Sequence, residues 1–400
     1  MLSASGCGIP AQAADLMTDV SASIVNTDVN LAGDNSSAVA DFSVKLFQSS
    51  ASADTSTLLS PLSVLCALAM TANGAKNETL TQMEDVFGLS VPALNEYMHT
   101  YLEHLSSSDK CKFNIADSIW FKDDSGLTVD PDFLKTNADY YGASIYKAPF
   151  DESTLKGINN WVDDHTGHMI PEILDSISPN AVMYLINALA FDAEWQTIYT
   201  ETQIQDGTFT AESGETQDVK MMHGEEHQYL DDGSATGFIK YYAGQKYAFA
   251  ALLPNEDVPI HDYIASLTGE GLMSTLENAQ SVPVNTVIPK FKSESSLEMS
   301  DILKSMGMTD AFDPDSADFA GLGQSKNENI FIGEVLHKTY IAVDERGTKA
   351  GAATAVAMNA TSALADQPKA VYLDRPFVYL LIDCETNLPI FIGTTMDVSQ

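Results

Sequence analysis

Apolar residues recur along the first hundred positions with the spacing of helices. Val39, Phe42, Leu46 and Phe47 follow the capping-prone run Asn35-Ser36-Ser37 and predict that the folded body opens with a helix. Ser60 then stands as an N-cap with Pro61 at the first helical position, and Val64, Leu65 and Leu68 carry the pattern to a stop at Gly74. Leu80, Met83 and Phe87 share one face of a further helix from Asn77 that ends at Gly88. From Phe113 the period changes: Ile115, Ser118, Ile119, Trp120 and Phe121 suit a strand, and Leu155, Ile158 and Val162 return briefly to helical spacing. Ala181 to Phe191 is almost continuously apolar, as expected of a central strand buried on both faces. Strand-like runs alternate with Gly and Asp turns from Phe209 to Pro254, with Tyr247 to Leu253 as a core strand. Ile330 to Val343 predicts a long strand, and Val378–Ile382 with Ile390–Ile392 a closing hairpin around Asn387. Helices followed by strands, with no internal repeat, give an α+β domain.

One segment fits neither a loop nor a buried strand. Glu345 to Leu364 is small and nearly uncharged, with neither the usual Asp, Asn, Pro and Lys content of a permanent loop nor Val, Ile or Phe throughout as in a permanent core strand. Strand alternation would put Thr348, Ala350, Ala352, Thr354, Val356 and Met358 on one side and Lys349, Gly351, Ala353, Ala355, Ala357 and Asn359 on the other. The first set tolerates burial and the second has nothing bulky to clash. Such a chain can live outside a sheet or inside it.

Motifs elsewhere give this segment a context. Leu59-Ser60-Pro61-Leu62-Ser63, Asn114-Ile115-Ala116-Asp117-Ser118-Ile119-Trp120, Asn187-Ala188-Leu189-Ala190-Phe191 with Trp195, Pro289-Lys290-Phe291, Ala317-Asp318-Phe319-Ala320-Gly321, His337-Lys338 and Asp374-Arg375-Pro376-Phe377 occur in this order. Together they resemble the signatures of the serpins, from about Val39 to Val398, and serpin loop insertion is a standing example of sheet augmentation and stored strain. The resemblance implies the serpin fold: helices packed on a large central mixed sheet with smaller sheets, and an exposed mobile reactive-centre loop at about 345–366. Residues 39–400 would form that single domain, and 1–38 a flexible leader or tether.

The resemblance also implies roles for particular residues. Glu345, Gly347, Thr348, Ala350, Gly351, Ala352 and Ala353 match the hinge of an inhibitory member, Thr348 being the first residue to enter the sheet. Ser60, Asn187 and His337 match the cluster beneath the sheet where strands part, although a satisfied buried polar network would look the same. Trp195, Lys290 and Glu345 match the upper end, where insertion begins and a Lys and a Glu commonly pair. Counting from Gly347 places the scissile bond near Thr361-Ser362, with Ala360, Ala363 and Leu364 as neighbouring candidates. These are small or aliphatic, which favours a serine protease with a shallow primary pocket, elastase-like or subtilisin-like, held as a covalent complex. A non-inhibitory carrier and a cross-class inhibitor of cysteine proteases are the rival readings.

Charge and cysteine usage narrow the partners. Lys and Arg total 20 against 56 Asp and Glu, a balance of −36 that repels nucleic acid and heparin-like polyanions. Ala93 to Ser108, where a polyanion-binding serpin would be basic, has no Lys or Arg. No apolar run is long enough to span a membrane, and a secreted monomer without cofactor or metal is expected. Ala4-Ser5-Gly6-Cys7 resembles the end of a bacterial lipoprotein signal and would tether the protein through Cys7, although Met1 to Gly6 cannot supply the rest of such a signal. Cys66 and Cys384 read as small core residues. His223-Gly224-Glu225-Glu226-His227 matches a zinc-protease pattern that requires a helix, whereas its flanks predict strand, turn, strand. His165 and His168, separated by Gly167, read as a helix end. No nucleophile elbow or phosphate loop is present, so an ordinary enzyme is not expected.

Overall fold

The computed structural model describes residues 13–27, 29–52, 54–105, 107–123, 126–178, 181–326, 329–348 and 368–398. Ala350, Gly351, Ala352, Ala353, Thr361, Ser362 and Cys7 therefore lie outside the described residues.

The opening helix runs from Asp34 to Ser50 and buries Val39, Phe42, Leu46 and Phe47 as predicted. Asn35, Ser36 and Ser37 lie inside its first turn rather than at the cap. Gly33 occupies the cap without a side-chain bond, and Asp34 places an acid beside the positive end of the helix dipole. The helix Pro61–Ala72 begins as expected, with Ser60 Oγ accepting from the Ser63 amide at 3.3 Å. Every residue of this helix is buried, so its position is set by packing all round. Asn77–Phe87 ends at Gly88, whose φ of 71° is the left-handed stop its position predicts. The helices Pro131–Tyr141, Ile260–Ser266, Gly269–Glu277 and Ser300–Met306 are too short to show a period, whereas Val91–His104 carries one, in buried Val91, Leu94, Tyr97, Met98 and Tyr101, that the pattern above does not include.

Seven strands of the described residues form the large mixed sheet, in the order Ala14–Asp15, Ser144–Ala148, Cys111–Lys122, Met183–Glu194, Gly347–Thr348, Glu334–Val343 and Phe291–Glu298. Met183–Glu194 pairs antiparallel with Cys111–Lys122 on one side and parallel with Glu334–Val343 on the other. It is buried along nearly its whole length, as its apolar run requires. Glu334–Val343 starts four residues later than the apolar pattern suggests. Ile330 and Ile332 are buried, but Ile332 donates to the Ala311 carbonyl and so anchors a loop instead of a ladder. A second sheet holds the core strand Tyr247–Pro254 beside the hairpin Phe377–Asp383 and Pro389–Thr395, turned by Asn387 at φ 57°. A third joins Ile204–Thr210, Thr216–Glu226, Val284–Pro289 and Lys369–Tyr372.

The stretch expected as part of a leader packs against the body from residue 13 onward. Ala14–Asp15 adds a short antiparallel edge to Ser144–Ala148, and Leu16 N–H donates to the Ile145 carbonyl at 2.9 Å. Further along, Ser23 N–H donates to Asp139 Oδ1 at 2.6 Å, and the Leu31 carbonyl accepts from Tyr97 Oη at 3.2 Å. Leu16, Met17, Val29 and Leu31 also pack against the core, but they are too scattered along a polar stretch to show a period.

Candidate functional site

Two constellations lie along the seam between Met183–Glu194 and Glu334–Val343. The first sits midway down the seam. Register places Asp117, Asn187 and His337 side by side on three neighbouring strands, and the cap of the helix Pro61–Ala72 meets them from below. The Ser60 amide donates to His337 Nε2 at 3.0 Å, so the neutral ring carries its proton on Nδ1 and donates it to Asn187 Oδ1. The Asn187 amide nitrogen in turn donates to Ser63 Oγ and to Asp117 Oδ1, and Ser63 Oγ donates to the same carboxylate oxygen at 3.1 Å.

Ser60, Asn187 and His337 are fully buried. Burial pushes the imidazole down to about 3, with the hydrogen bond to Asn187 pulling weakly the other way. Burial pushes the Asp117 carboxyl up to about 7, with hydrogen bonds from Ser63, Cys66 and Asn187 pulling weakly the other way. Its Oδ2 is shut off from solvent and has no hydrogen-bond partner among the described residues, although the residue keeps some exposed surface. Sequence reasoning brought together Ser60, Asn187 and His337 and missed Asp117 and Ser63. Both lie inside quoted motifs, and a lone Asp in an apolar strand was the available signal.

The second constellation caps the same seam. Asp344 begins a tight reversal: its Oδ1 accepts from the amides of Arg346 (2.8 Å) and Gly347 (3.3 Å), and its own amide donates to the Gly347 carbonyl at 2.9 Å. The chain thus doubles back, and Gly347 and Thr348 lie between the two strands, pairing with Glu194 and Ala193 on one side while Thr348 pairs with Val343 on the other. Only glycine fits at 347, since a Cβ there would stand 1.9 Å from the Ala193 carbonyl oxygen. Direct pairing of the flanking strands extends as far as Tyr340 with Ala190, below this wedge.

Trp195 holds the reversal in place. Its Nε1 donates to the Asp344 carbonyl and its amide to the Arg346 carbonyl, both at 2.8 Å, and its ring stacks on Tyr242 at 4.5 Å between centroids. Lys290 Nζ pairs with Glu345 Oε2 at the rim, where both side chains are about a third exposed (28% and 33%). Burial alone would raise the Glu345 carboxyl, but the bonded Lys290 ammonium holds it below its usual range. Trp195, Lys290, Glu345, Gly347 and Thr348 are thus brought together as the sequence suggests, and Tyr242 is the member it did not. Beneath them Lys240, buried, bridges to Glu226 at 2.7 Å and lies over the rings of Tyr199 and Trp195.

The histidine pairs fall elsewhere. His223 is in the strand Thr216–Glu226, opposite Val287, and not on a helix. His165 ends the helix Glu152–His165 with Nδ1 against the Trp161 carbonyl, and exposed His168 meets Asp163 Oδ2 at 2.7 Å. Among the described residues no helix is long and apolar enough to cross a membrane.

Comparison with known proteins bears on the whole chain. Residues 37–398 match the family model described as serpin (serine protease inhibitor). The chain is similar to a serine protease inhibitor of Cyanea capillata, 30% identical with 85% of this chain and 92% of the relative covered. It is also similar to a leukocyte elastase inhibitor of Xenopus laevis, 29% identical over 84% of this chain and 91% of that one. Among solved structures, the native state of the thermophilic serpin tengpin superposes with a TM-score of 0.93 at 47% identity, covering 96% of this chain and 100% of that one.

Proposed function

The chain belongs to the serpin family, and from that premise we propose that it is a suicide-substrate inhibitor of serine proteases with a small primary pocket. The protease serine attacks the carbonyl of Thr361. The Thr361–Ser362 bond breaks, the new amine of Ser362 leaves with a proton, and Thr361 remains esterified to the protease. The freed loop then enters the seam as a new strand and carries the protease with it, so that hydrolysis of the ester stalls. A strand of about a dozen residues adds on the order of ten hydrogen bonds at roughly 1 kcal/mol each, besides buried apolar surface, which is enough to distort a marginally stable protease domain.

The observation that carries this reading is the wedge of Gly347 and Thr348 at the head of the seam. The small residues that follow it, Ala350, Gly351, Ala352 and Ala353, suit continued entry. Small residues around Thr361 and Ser362 support a shallow-pocket target, as does similarity to a relative named for leukocyte elastase. The protein works as a monomer outside the cell, needs no cofactor or polyanion, and is tethered if Cys7 is lipidated. Incubation with neutrophil elastase, pancreatic elastase and subtilisin, followed by denaturing electrophoresis and mass spectrometry of the released C-terminal peptide, tests class and bond together. A complex resistant to SDS is expected. Cleavage without any such complex would leave the carrier reading, and trapping of cysteine proteases alone the cross-class one.

A further inference from the structure

We propose that Tyr242 is a positioning residue that catches Thr348 before the loop is cut and thereby sets how often an acyl-enzyme is trapped instead of released. This rests on the inhibitory reading above. Tyr242 Oη and Thr348 Oγ1 lie 2.6 Å apart, and both residues are completely buried. The tyrosine cannot swing aside. Its ring is stacked on Trp195 at an interplanar angle of 10°, Phe191 meets it edge-on at 5.1 Å, and its amide donates to the Tyr247 carbonyl at 3.0 Å. Trp195 is itself bonded to the backbone of the reversal that presents Thr348. The two ends of the latch are therefore held by one rigid unit, and the hydroxyl pair closes it.

Burial alone explains a small residue at 348, but it does not explain a hydroxyl. A valine would fill the same volume and leave the phenol without its partner in a dry site, and an unpartnered buried hydroxyl is costly. The latch thus favours molecules whose hinge is already seated. If insertion begins from the seated hinge, its rate scales with the seated fraction, and insertion competes with deacylation for every acyl-enzyme. Removing either hydroxyl lowers the ratio of seated to unseated hinges by on the order of tenfold, and the molecules caught unseated are consumed as substrate.

Two readouts on the full chain test this. Without protease, amide hydrogen exchange over Gly347 and Thr348 is expected to quicken about tenfold in Tyr242→Phe and in Thr348→Val, while Thr348→Ser, which keeps the hydroxyl, exchanges like the parent. With a small-pocket protease, the number of inhibitor molecules cleaved per complex should rise several-fold in the first two variants at an unchanged association rate, and Thr348→Ser should restore the parent ratio. Unchanged exchange and partition in both variants, or Thr348→Ser behaving as Thr348→Val does, would overturn the latch. Should Tyr242→Phe fold poorly, the paired variants at 348 decide it alone. A parent protein that traps no protease would sink the inhibitory reading and with it the partition readout, while the exchange comparison would still decide whether the hydroxyls seat the hinge.

Discussion

The middle of the seam and its head are built in opposite ways. Midway, Asn187 and His337 are paired in register, dry, and joined to Asp117, Ser63 and the cap of a wholly buried helix. At the head the same two strands have already parted around Gly347 and Thr348, and the groups that hold them, Lys290 and Glu345, are partly wet. A buried hydrogen-bonded network resists opening because every broken bond strands a partner, whereas a rim ion pair costs little to separate. The sheet is therefore closed midway by a buried network and parted at the head around a buried wedge whose rim ion pair is partly exposed, and a strand added from the head would meet Asn187 and His337 next.

The largest way to break this contrast is at its dry member. Asn187→Ala leaves the imidazole and the carboxylate without their shared partner, and a loss of about 3 kcal/mol in unfolding free energy is expected. Urea melts would measure it, and a loss below about 0.5 kcal/mol would show that the network carries little. At the head, Gly347→Ala forces a Cβ against the Ala193 carbonyl, and expulsion of the hinge is expected at a cost of about 1–3 kcal/mol. Limited proteolysis between Glu345 and Leu364 should accelerate, and unchanged cleavage would show that the wedge is not seated.

Acidity separates the two groups of the middle. Asp117 titrates near 7 in the fold against 3.8 for a free Asp, so its contribution to stability is complete below about 4 and drains away as pH rises to about 7. His337 opposes it: with a folded value near 3 against 6.5, its contribution is complete above about 6.5 and is lost as pH falls toward 3. Asp117→Asn should therefore gain stability relative to the parent at pH 8 and gain less at pH 4.5. An equal difference at both pH values would remove Asp117 from the account. The smallest effect belongs to the rim. Glu345→Lys sets two ammonium groups together where a pair now stands, worth about 1 kcal/mol given its exposure. The expected sign is a looser head, seen as faster loss of monomer to loop-inserted or polymeric forms on native gels.

Much of this contrast is legible in the order of residues alone. Ser60 declares itself as a cap, Asn187 and His337 stand as polar residues in strands that are otherwise apolar, and Glu345, Gly347 and Thr348 belong to a segment with no other good explanation. What cannot be read is register. Asp117 becomes a partner of Asn187 only because an antiparallel neighbour brings it there, and Tyr242 looks like one more core aromatic until its ring is found against Trp195. The docking of residues 13–33 is hidden for a related reason, since its few apolar anchors, Leu16, Met17, Val29 and Leu31, are scattered without a period and the rest is held by a backbone edge and isolated polar contacts.

The central claim is that the uncut protein is less stable than the form it takes once the loop has entered the seam. Comparing the melting temperature of the intact chain with that of the same chain cut once between Ala360 and Leu364 tests it most directly. The account predicts a marked rise after the cut; an unchanged or lower melting temperature would contradict it.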